Sequence, residues 1–190
     1  MNIGDHAFKI IVAGASGTGK SCFILRHLSG EFERRHIPTL GCEVHPITLH
    51  TTRGRIIFYM WDLAGAKEFA GLGEGYYQNA QGIIVFYDLT VPDTMTCALD
   101  ILDKHKGLAS VLCGNKADLL PSDSVVRPRV DIPFYYISAR SNYNFEKPFL
   151  SLARQLLGDD SIEFTESPAI TPPTVSINET RVGHYPRLRV

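Results

Sequence analysis

The sequence predicts an α/β fold with a mostly parallel six-stranded sheet, and three observations lead to this prediction. Six short apolar runs in the 190 residues have the length of strands. Segments with helical periodicity separate several of these runs. The first run also ends in a glycine-rich loop that opens a helix. Strands alternating with helices favour a sheet covered by helices on both faces, with ligands bound at the carboxyl ends of the strands.

Each element follows from its local composition. Phe8–Ala13 is a continuous apolar run, typical of a buried parallel strand, and Lys20–Leu28 has apolar residues at helical spacing. Glu43–Leu49 and Arg55–Trp61 flank the turn signal Thr51–Gly54, which predicts a hairpin. The remaining predicted strands are Gly82–Tyr87, Leu108–Cys113 and Phe134–Ile137, and the remaining helices lie at about Thr94–His105 and Asn144–Leu157.

Composition is that of an ordinary globular chain, with 44% apolar and 21% charged residues. A net charge of −1 gives no reason to expect nucleic acid or an acidic membrane as a partner. An apolar run of eighteen residues, which a membrane span requires, is absent from the sequence. The four cysteines lack the spacing of a metal site and are expected to be free thiols in a reducing compartment; they are Cys22, Cys42, Cys97 and Cys113.

Two regions are expected, a compact domain over residues 1–164 and a tail over residues 165–190. The tail is rich in Pro, Ser and Thr and has no sustained apolar period, so we expect it to pack loosely or to be disordered. The final residues, Arg-Leu-Arg-Val, include no cysteine, so a prenyl anchor is not expected.

The sequence GASGTGKS at Gly14–Ser21 matches the phosphate-loop pattern GxxxxGK[ST]. Its glycines allow backbone N–H groups to turn inward at a helix N-terminus and bind phosphate. Lys20 supplies a positive charge to the β- and γ-phosphates. A chance glycine turn is the alternative, but the strand before and the helix after favour a nucleotide site. The predicted nucleotide contacts are Ala15, Ser16, Gly17, Thr18, Gly19, Lys20, Ser21 and Cys22.

Three residues are predicted to serve magnesium. The Ser21 hydroxyl is a Mg²⁺ ligand in phosphate loops. Asp62 ends a predicted strand and is expected to hold a magnesium-bound water, and Thr39 is expected to close the metal shell when a γ-phosphate is present. Gly65 is expected to offer its N–H to that phosphate. Asp-x-x-Gly alone is a common turn, so its position after a phosphate loop carries this interpretation.

The base is predicted from Asn115-Lys116-Ala117-Asp118, which follows a strand. A carboxylate at Asp118 accepts hydrogen bonds from guanine N1–H and the exocyclic amine, a donor pair that adenine lacks. Asn115 is expected to brace the loop and the Lys116 stem to cover the base. The backbone of Ser138, Ala139 and Arg140, after the next strand, is expected to meet guanine O6.

These motifs are those of small GTPases of the Ras superfamily, and the chain most resembles the Ran type over roughly residues 8–173. The resemblance implies a P-loop NTPase G domain that binds GTP or GDP with Mg²⁺ and acts as a GTPase. It implies that Phe32 contacts the guanine edge, that Phe32–Cys42 is switch I and that Gly65–Gln81 is switch II. The runs that carry it are Gly30–Glu33, Thr39–Pro46, Gly75–Tyr77 and Ser141–Phe149.

The same resemblance implies partners and location. Ran-type proteins bind importin-β-like receptors, exportins and Ran-binding-domain proteins in the GTP form. They are soluble, unlipidated monomers of the nucleus and cytoplasm, which agrees with the absence of a C-terminal cysteine. We therefore expect neither nucleic acid nor membrane to be a partner.

One departure from the family concerns catalysis. The glutamine that follows the switch II glycine and orients the attacking water is Ala66 here. A methyl group cannot hydrogen-bond water, so Lys20 and Gly65 would remain as catalytic residues and hydrolysis is predicted to be slow. The alternative is that a neighbouring residue substitutes for the glutamine.

Further departures concern partners. Lys67-Glu68 reverses the family's order of acid and base beside Phe69, which predicts weak binding to the carrier that imports the GDP form. Residues 165–190 contain three arginines and two glutamates instead of an acidic end, and Ser122–Ile132 lacks the family's dense basic cluster. An electrostatic tail switch is therefore expected to be absent or replaced by a weaker contact. Arg34-Arg35 retains the dibasic pair of switch I, which suits an acidic partner or a solvated surface equally.

Three functional hypotheses remain. The first is a cycling GTPase of nuclear transport. The second is a GTP-loaded binding module that hydrolyses poorly and occupies transport receptors. The third is a scaffold with a vestigial site, which the intact motifs argue against.

Overall fold

The computed structural model describes residues 5–32, 38–65, 74–120 and 128–166. Short 3₁₀ turns occur at Glu74–Tyr77 and Ala117–Leu119. In chain order the elements are β1 (His6–Gly14), α1 (Lys20–Ser29), β2 (Cys42–Thr51), β3 (Gly54–Leu63), β4 (Gly82–Asp88), α2 (Asp93–Lys104), β5 (Ala109–Asn115), β6 (Phe134–Tyr136) and α3 (Lys147–Leu157).

The strands form one six-stranded sheet in the order β2-β3-β1-β4-β5-β6. All neighbours are parallel except β2 and β3, which form the antiparallel hairpin predicted from the turn signal. The prediction of a mostly parallel six-stranded α/β sheet is therefore confirmed. β1 lies between β3 and β4, so the chain changes direction across the sheet beside the carboxyl end of β1, which is where such sheets bind ligands.

Helices cover both faces of the sheet, as predicted. On one face, α1 and α3 contribute Phe23, Ile24, Phe149 and Leu152 to a core cluster with the inward side chains of the strands. On the other face, Ala98 of α2 packs with a second cluster. The central strands β4 and β5 bury side chains on both sides because helices cover both faces there, whereas the edge strand β2 buries alternate residues on one side only.

The predicted start of the last helix, at Asn144, is wrong by three residues, since α3 begins at Lys147. Asn142 and Asn144 have backbone φ angles of +60° and +52°, a left-handed conformation that a helix does not use. The Asn144 side chain donates a hydrogen bond to the carbonyl oxygen of Tyr136 at 2.8 Å, which ties this turn to β6. Asparagine tolerates the left-handed region better than most residues, so the turn ends before the helix begins.

The chain after α3 runs back to the β2–β3 hairpin. The N–H of Thr52 donates to the Glu163 carbonyl at 2.9 Å, and the N–H of Thr165 donates to the His50 carbonyl at 2.9 Å. Arg53 and Asp159 form an ion pair at 2.6 Å. Residues 167–190, most of the predicted tail, lie outside the described residues. Within the described ranges, no helix is long and apolar enough to cross a membrane.

A half-buried histidine in α1 makes folding sensitive to acid. The His27 ring stacks on Phe145 and contacts Phe149, and its Nδ1 has no hydrogen-bond partner among the described residues. Burial lowers the pKa of His27 from 6.5 to about 4. The unfolded chain thus binds one more proton than the folded chain between these pH values. The contribution of neutral His27 to the free energy of unfolding is therefore fully present above pH 6.5, and it falls as the pH approaches 4.

We predict that His27→Phe removes this dependence. Between pH 7 and pH 4.5 the wild-type free energy of unfolding should fall by roughly 2 kcal/mol more than that of the variant. Urea denaturation at several pH values measures the difference. The matched control is His50→Phe, at an exposed position of β2. Parallel curves for wild type and His27→Phe would contradict the prediction.

Candidate nucleotide-binding site

The loop between β1 and α1 has the backbone of a phosphate-binding nest. Gly17 and Gly19 have φ angles of +77° and +90°, and such residues turn successive N–H groups toward a common centre. Gly19 is also the N-cap of α1, so the loop ends at the positive end of a helix. The Lys20 ammonium donates to the carbonyl oxygens of Gly14 at 2.9 Å and Ala15 at 3.0 Å. The Thr18 hydroxyl donates to the same Ala15 carbonyl at 2.9 Å.

Lys20 is buried, which is unusual for a lysine, and its surroundings act on it in two ways. Burial lowers the pKa of Lys20, and the nearby Asp62 carboxylate raises it. A buried cation requires a compensating negative charge or strong acceptors. Phosphate oxygens would supply both, so the site is electrostatically suited to an anion.

Ser21, Thr39 and Asp62 come together from three separate segments. Ser21 lies in the first turn of α1, Thr39 precedes β2 and Asp62 lies near the end of β3. The Ser21 hydroxyl donates to Asp62 Oδ2, and the Ser21 and Thr39 hydroxyl oxygens are 2.7 Å apart. The Thr39 hydroxyl also donates to Asp62 Oδ2, at 3.4 Å. The structure thus places the three predicted magnesium residues in one cluster.

This cluster fits Mg²⁺. Its donors are hydroxyl and carboxylate oxygens, the ligands that hard divalent cations prefer. Asp62 is fully buried, yet its Oδ1 has no hydrogen-bond partner among the described residues. Burial raises the pKa of Asp62, while the Ser21 hydrogen bond and the Lys20 charge lower it. When bound, the cation would neutralise phosphate charge; Ser21 and Thr39 would hold it directly and Asp62 through water.

Gly65 packs its backbone directly on the phosphate loop. A Cβ atom at Gly65 would lie 2.4 Å from the backbone nitrogen of Ser16, so no larger residue fits without movement. The N–H of Ala64 donates to the Gly41 carbonyl at 2.9 Å, which links the Thr39 segment to the end of β3. Ala66, the position of the missing glutamine, and Lys67, Glu68 and Phe69 lie outside the described residues.

Asn115 connects the base-recognition loop to the phosphate loop. Its side-chain amide donates to the Thr18 carbonyl at 2.8 Å, and its Oδ1 accepts from the Ala139 N–H at 3.4 Å. A Cβ at Gly19 would lie only 2.3 Å from the Asn115 amide nitrogen, so glycine is required for this approach. One side chain therefore holds three loops of the site together.

Asp118 is held in place for hydrogen bonding at the mouth of the site. Its side chain is 4% exposed, and its Oδ1 accepts a hydrogen bond from the Ser138 hydroxyl at 2.7 Å. Arg140 Nη1 lies 3.7 Å from Asp118 Oδ2. Each carboxylate oxygen has more than one lone pair, so both still have capacity for the two N–H donors of guanine.

Two predicted nucleotide contacts also pack against the hydrophobic core. Cys22 and Phe32 are half-buried and pack against the cluster beneath α1. The Arg26 guanidinium lies 5.8 Å from the centroid of the Phe32 ring. The contact of Phe32 with guanine remains a prediction, and residues 33–37 of switch I, including Arg34 and Arg35, lie outside the described residues.

Sequence reasoning missed Asp88. This residue ends β4, and its Oδ2 lies 2.5 Å from the ammonium of Lys116 in the base-recognition loop. The signal was available, because a carboxylate directly after the run Gly82–Tyr87 stands at the carboxyl end of a strand next to the ligand edge.

A phosphate nest with a buried lysine, a hydroxyl–carboxylate metal cluster and a braced Asn-Lys-x-Asp loop together define a P-loop protein of the GTP-binding class. The sequence model of the Ras family matches residues 9–158, and the chain belongs to that family. Ras-family proteins bind GTP or GDP with Mg²⁺ and act as GTP-dependent switches with GTPase activity.

Proposed function

We propose that this chain is a Ran-like guanine-nucleotide switch that engages nuclear-transport receptors when GTP is bound and hydrolyses GTP slowly. The observation that carries the switch is the placement of Thr39. Its hydroxyl lies in the metal cluster, while the next residue, Leu40, is 78% exposed. A ligand that binds this cluster would therefore contact the residue next to an exposed apolar side chain.

The Ran-like part of the proposal rests on the run Thr39–Pro46. Leu40 and Val44 of this run are exposed, Val44 by 46%, and are accessible to a partner. The longer run Ser141–Phe149 supports the Ran-type resemblance by its sequence alone. Its Phe145 and Phe149 are buried against Phe23, so it contributes packing and not a receptor surface. Importin-β-like receptors, exportins and Ran-binding-domain proteins are the partners proposed for the exposed run, in the nucleus and cytoplasm.

The alternative is a GTP-locked or vestigial module that occupies transport receptors without cycling. Ala66 favours it over a cycling enzyme, since alanine offers no hydrogen bond to the attacking water. Because the Lys67-Glu68 pair beside Phe69 is reversed, this module is also expected to bind only weakly to the carrier that imports the GDP form. The nucleotide that co-purifies with magnesium separates the two, because the locked module keeps GTP for hours.

Receptor binding in two nucleotide states tests the proposal. The protein is loaded with GDP or with a non-hydrolysable GTP analogue and titrated with an importin-β-like receptor. The GTP-analogue form should bind about 100-fold more tightly, as expected for a strongly coupled switch. Leu40→Ala should weaken this binding at least about tenfold, as for a central apolar anchor.

The control is Val91→Ala, which truncates another exposed apolar side chain, on the loop after β4. Its receptor affinity should equal that of wild type. Equal receptor binding by the GDP and GTP-analogue forms would contradict the proposed role.

A further inference from the structure

Asp88 and Lys116 form an ion pair at the edge of the base-recognition loop. Asp88 is opposite Asn115 in the β4–β5 register, so the carboxylate stands beside the strand from which the loop emerges. Its Oδ2 is 2.5 Å from the Lys116 ammonium. The Asp88 side chain is 5% exposed and that of Lys116 33% exposed, so this is a largely buried contact and not a solvated surface pair.

Contacts other than the one with Lys116 hold the Asp88 carboxylate in place. Its Oδ1 accepts hydrogen bonds from the Thr90 N–H at 2.9 Å and the Thr90 hydroxyl at 2.7 Å. The Asp88 N–H donates to the Thr94 hydroxyl oxygen at 2.9 Å. Although burial raises the pKa of Asp88, the hydrogen bonds from Lys116 and Thr90 lower it overall, so the carboxylate is ionised at neutral pH. The Lys116 ammonium therefore bonds to a carboxylate that Thr90 already holds in place.

Lys116 has a backbone conformation that requires support. Its φ and ψ angles are +67° and +33°, in the left-handed region that residues with a Cβ rarely adopt. The residue stands between Asn115, which braces the phosphate loop, and Asp118, which is predicted to bind the guanine base. A change at Lys116 therefore alters the direction of both neighbours. Strained residues of this kind persist only where surrounding contacts hold them.

We propose that Asp88 is a positioning residue for guanine recognition: its bond to the Lys116 ammonium holds the base-recognition loop in its binding conformation and so sets the lifetime of the bound nucleotide. The inference concerns the GTP site of the Ras family and is independent of the Ran-like role. Asp88 acts through Lys116, since the contacts of its carboxylate are with Thr90 and Lys116.

The test is the dissociation rate of a fluorescent GDP analogue with Mg²⁺ and excess unlabelled GDP. Asp88→Asn keeps an acceptor for Thr90 and removes the negative charge facing Lys116. We expect dissociation about tenfold faster than in wild type, equivalent to about 1.4 kcal/mol. Thr90→Val retains the charge but loosens it, and should accelerate release about threefold, since one of several hydrogen bonds is lost.

A double-mutant cycle separates positioning from general destabilisation. Lys116→Met keeps the apolar stem and removes the ammonium, so adding Asp88→Asn to it should change the rate by less than about twofold. The control is Asp159→Asn, which breaks the distant pair with Arg53 and should leave the rate at the wild-type value.

Wild-type release rates in both Asp88→Asn and Thr90→Val would overturn the inference. So would an undiminished effect of Asp88→Asn in the Lys116→Met background, because Asp88 would then not act through the lysine. GDP release is measured without any receptor, so this outcome is distinguishable from failure of the proposed transport role.

Discussion

Asp118→Asn is expected to weaken GDP and GTP binding by about a thousandfold, because a buried site built to accept two N–H donors loses its charge and one acceptor. Asparagine presents one acceptor and one donor in place of two acceptors. Xanthine has a carbonyl where guanine has its exocyclic amine, so xanthosine nucleotides should bind the variant better than guanosine nucleotides. Calorimetric titration of wild type and variant with both nucleotides measures this change in base preference.

The matched control for this prediction is Asp100→Asn on the exposed side of α2. This variant should bind GDP as wild type does, with no gain for xanthosine nucleotides. An Asp118→Asn protein that retained wild-type GDP affinity would show that the carboxylate held by Ser138 does not contact the base.

Ala66→Gln is expected to accelerate GTP hydrolysis in the presence of an activating protein by about 100-fold, within the range for a positioned proton-transfer or water-orienting group. Position 66 follows Gly65, whose backbone packs against Ser16 of the phosphate loop. In the family that this chain resembles, a glutamine at this position aligns the attacking water, which alanine cannot do. Single-turnover phosphate release measures the rate.

Ala66→Leu serves as the control, since leucine adds similar bulk without an amide. Its hydrolysis rate should equal that of wild type. Fast single-turnover hydrolysis by the wild-type protein would refute the prediction of slow turnover, and would mean that a neighbouring residue replaces the glutamine.

Much of the fold was predictable because its signals are local. The apolar run Phe8–Ala13 and the turn Thr51–Gly54 each specify an element without reference to the rest of the chain. The start of α3 was not predictable in this way. Asn144 reads as a helical residue until its side-chain bond to the Tyr136 carbonyl is known, and that bond joins residues eight positions apart.

The features of the site also differ in how far the sequence predicted them. Fixed spacing within one segment revealed the phosphate loop, and the order of strands brought Ser21 and Asp62 to one edge of the sheet. Contacts between loops left no such pattern. The bond from Asp88 to Lys116 depends on β4 and β5 being neighbours, and on a left-handed backbone at Lys116 that the sequence does not signal.

The most direct measurement is the calorimetric affinity of the nucleotide-free protein for GDP and ADP in the presence of Mg²⁺. The geometry of Lys20 and Asp118 predicts GDP binding at least about a thousandfold tighter than ADP binding, since adenine leaves a buried carboxylate without its donors. Comparable affinity for the two nucleotides, or no measurable binding of GDP, would contradict the assignment of this pocket to guanine nucleotides.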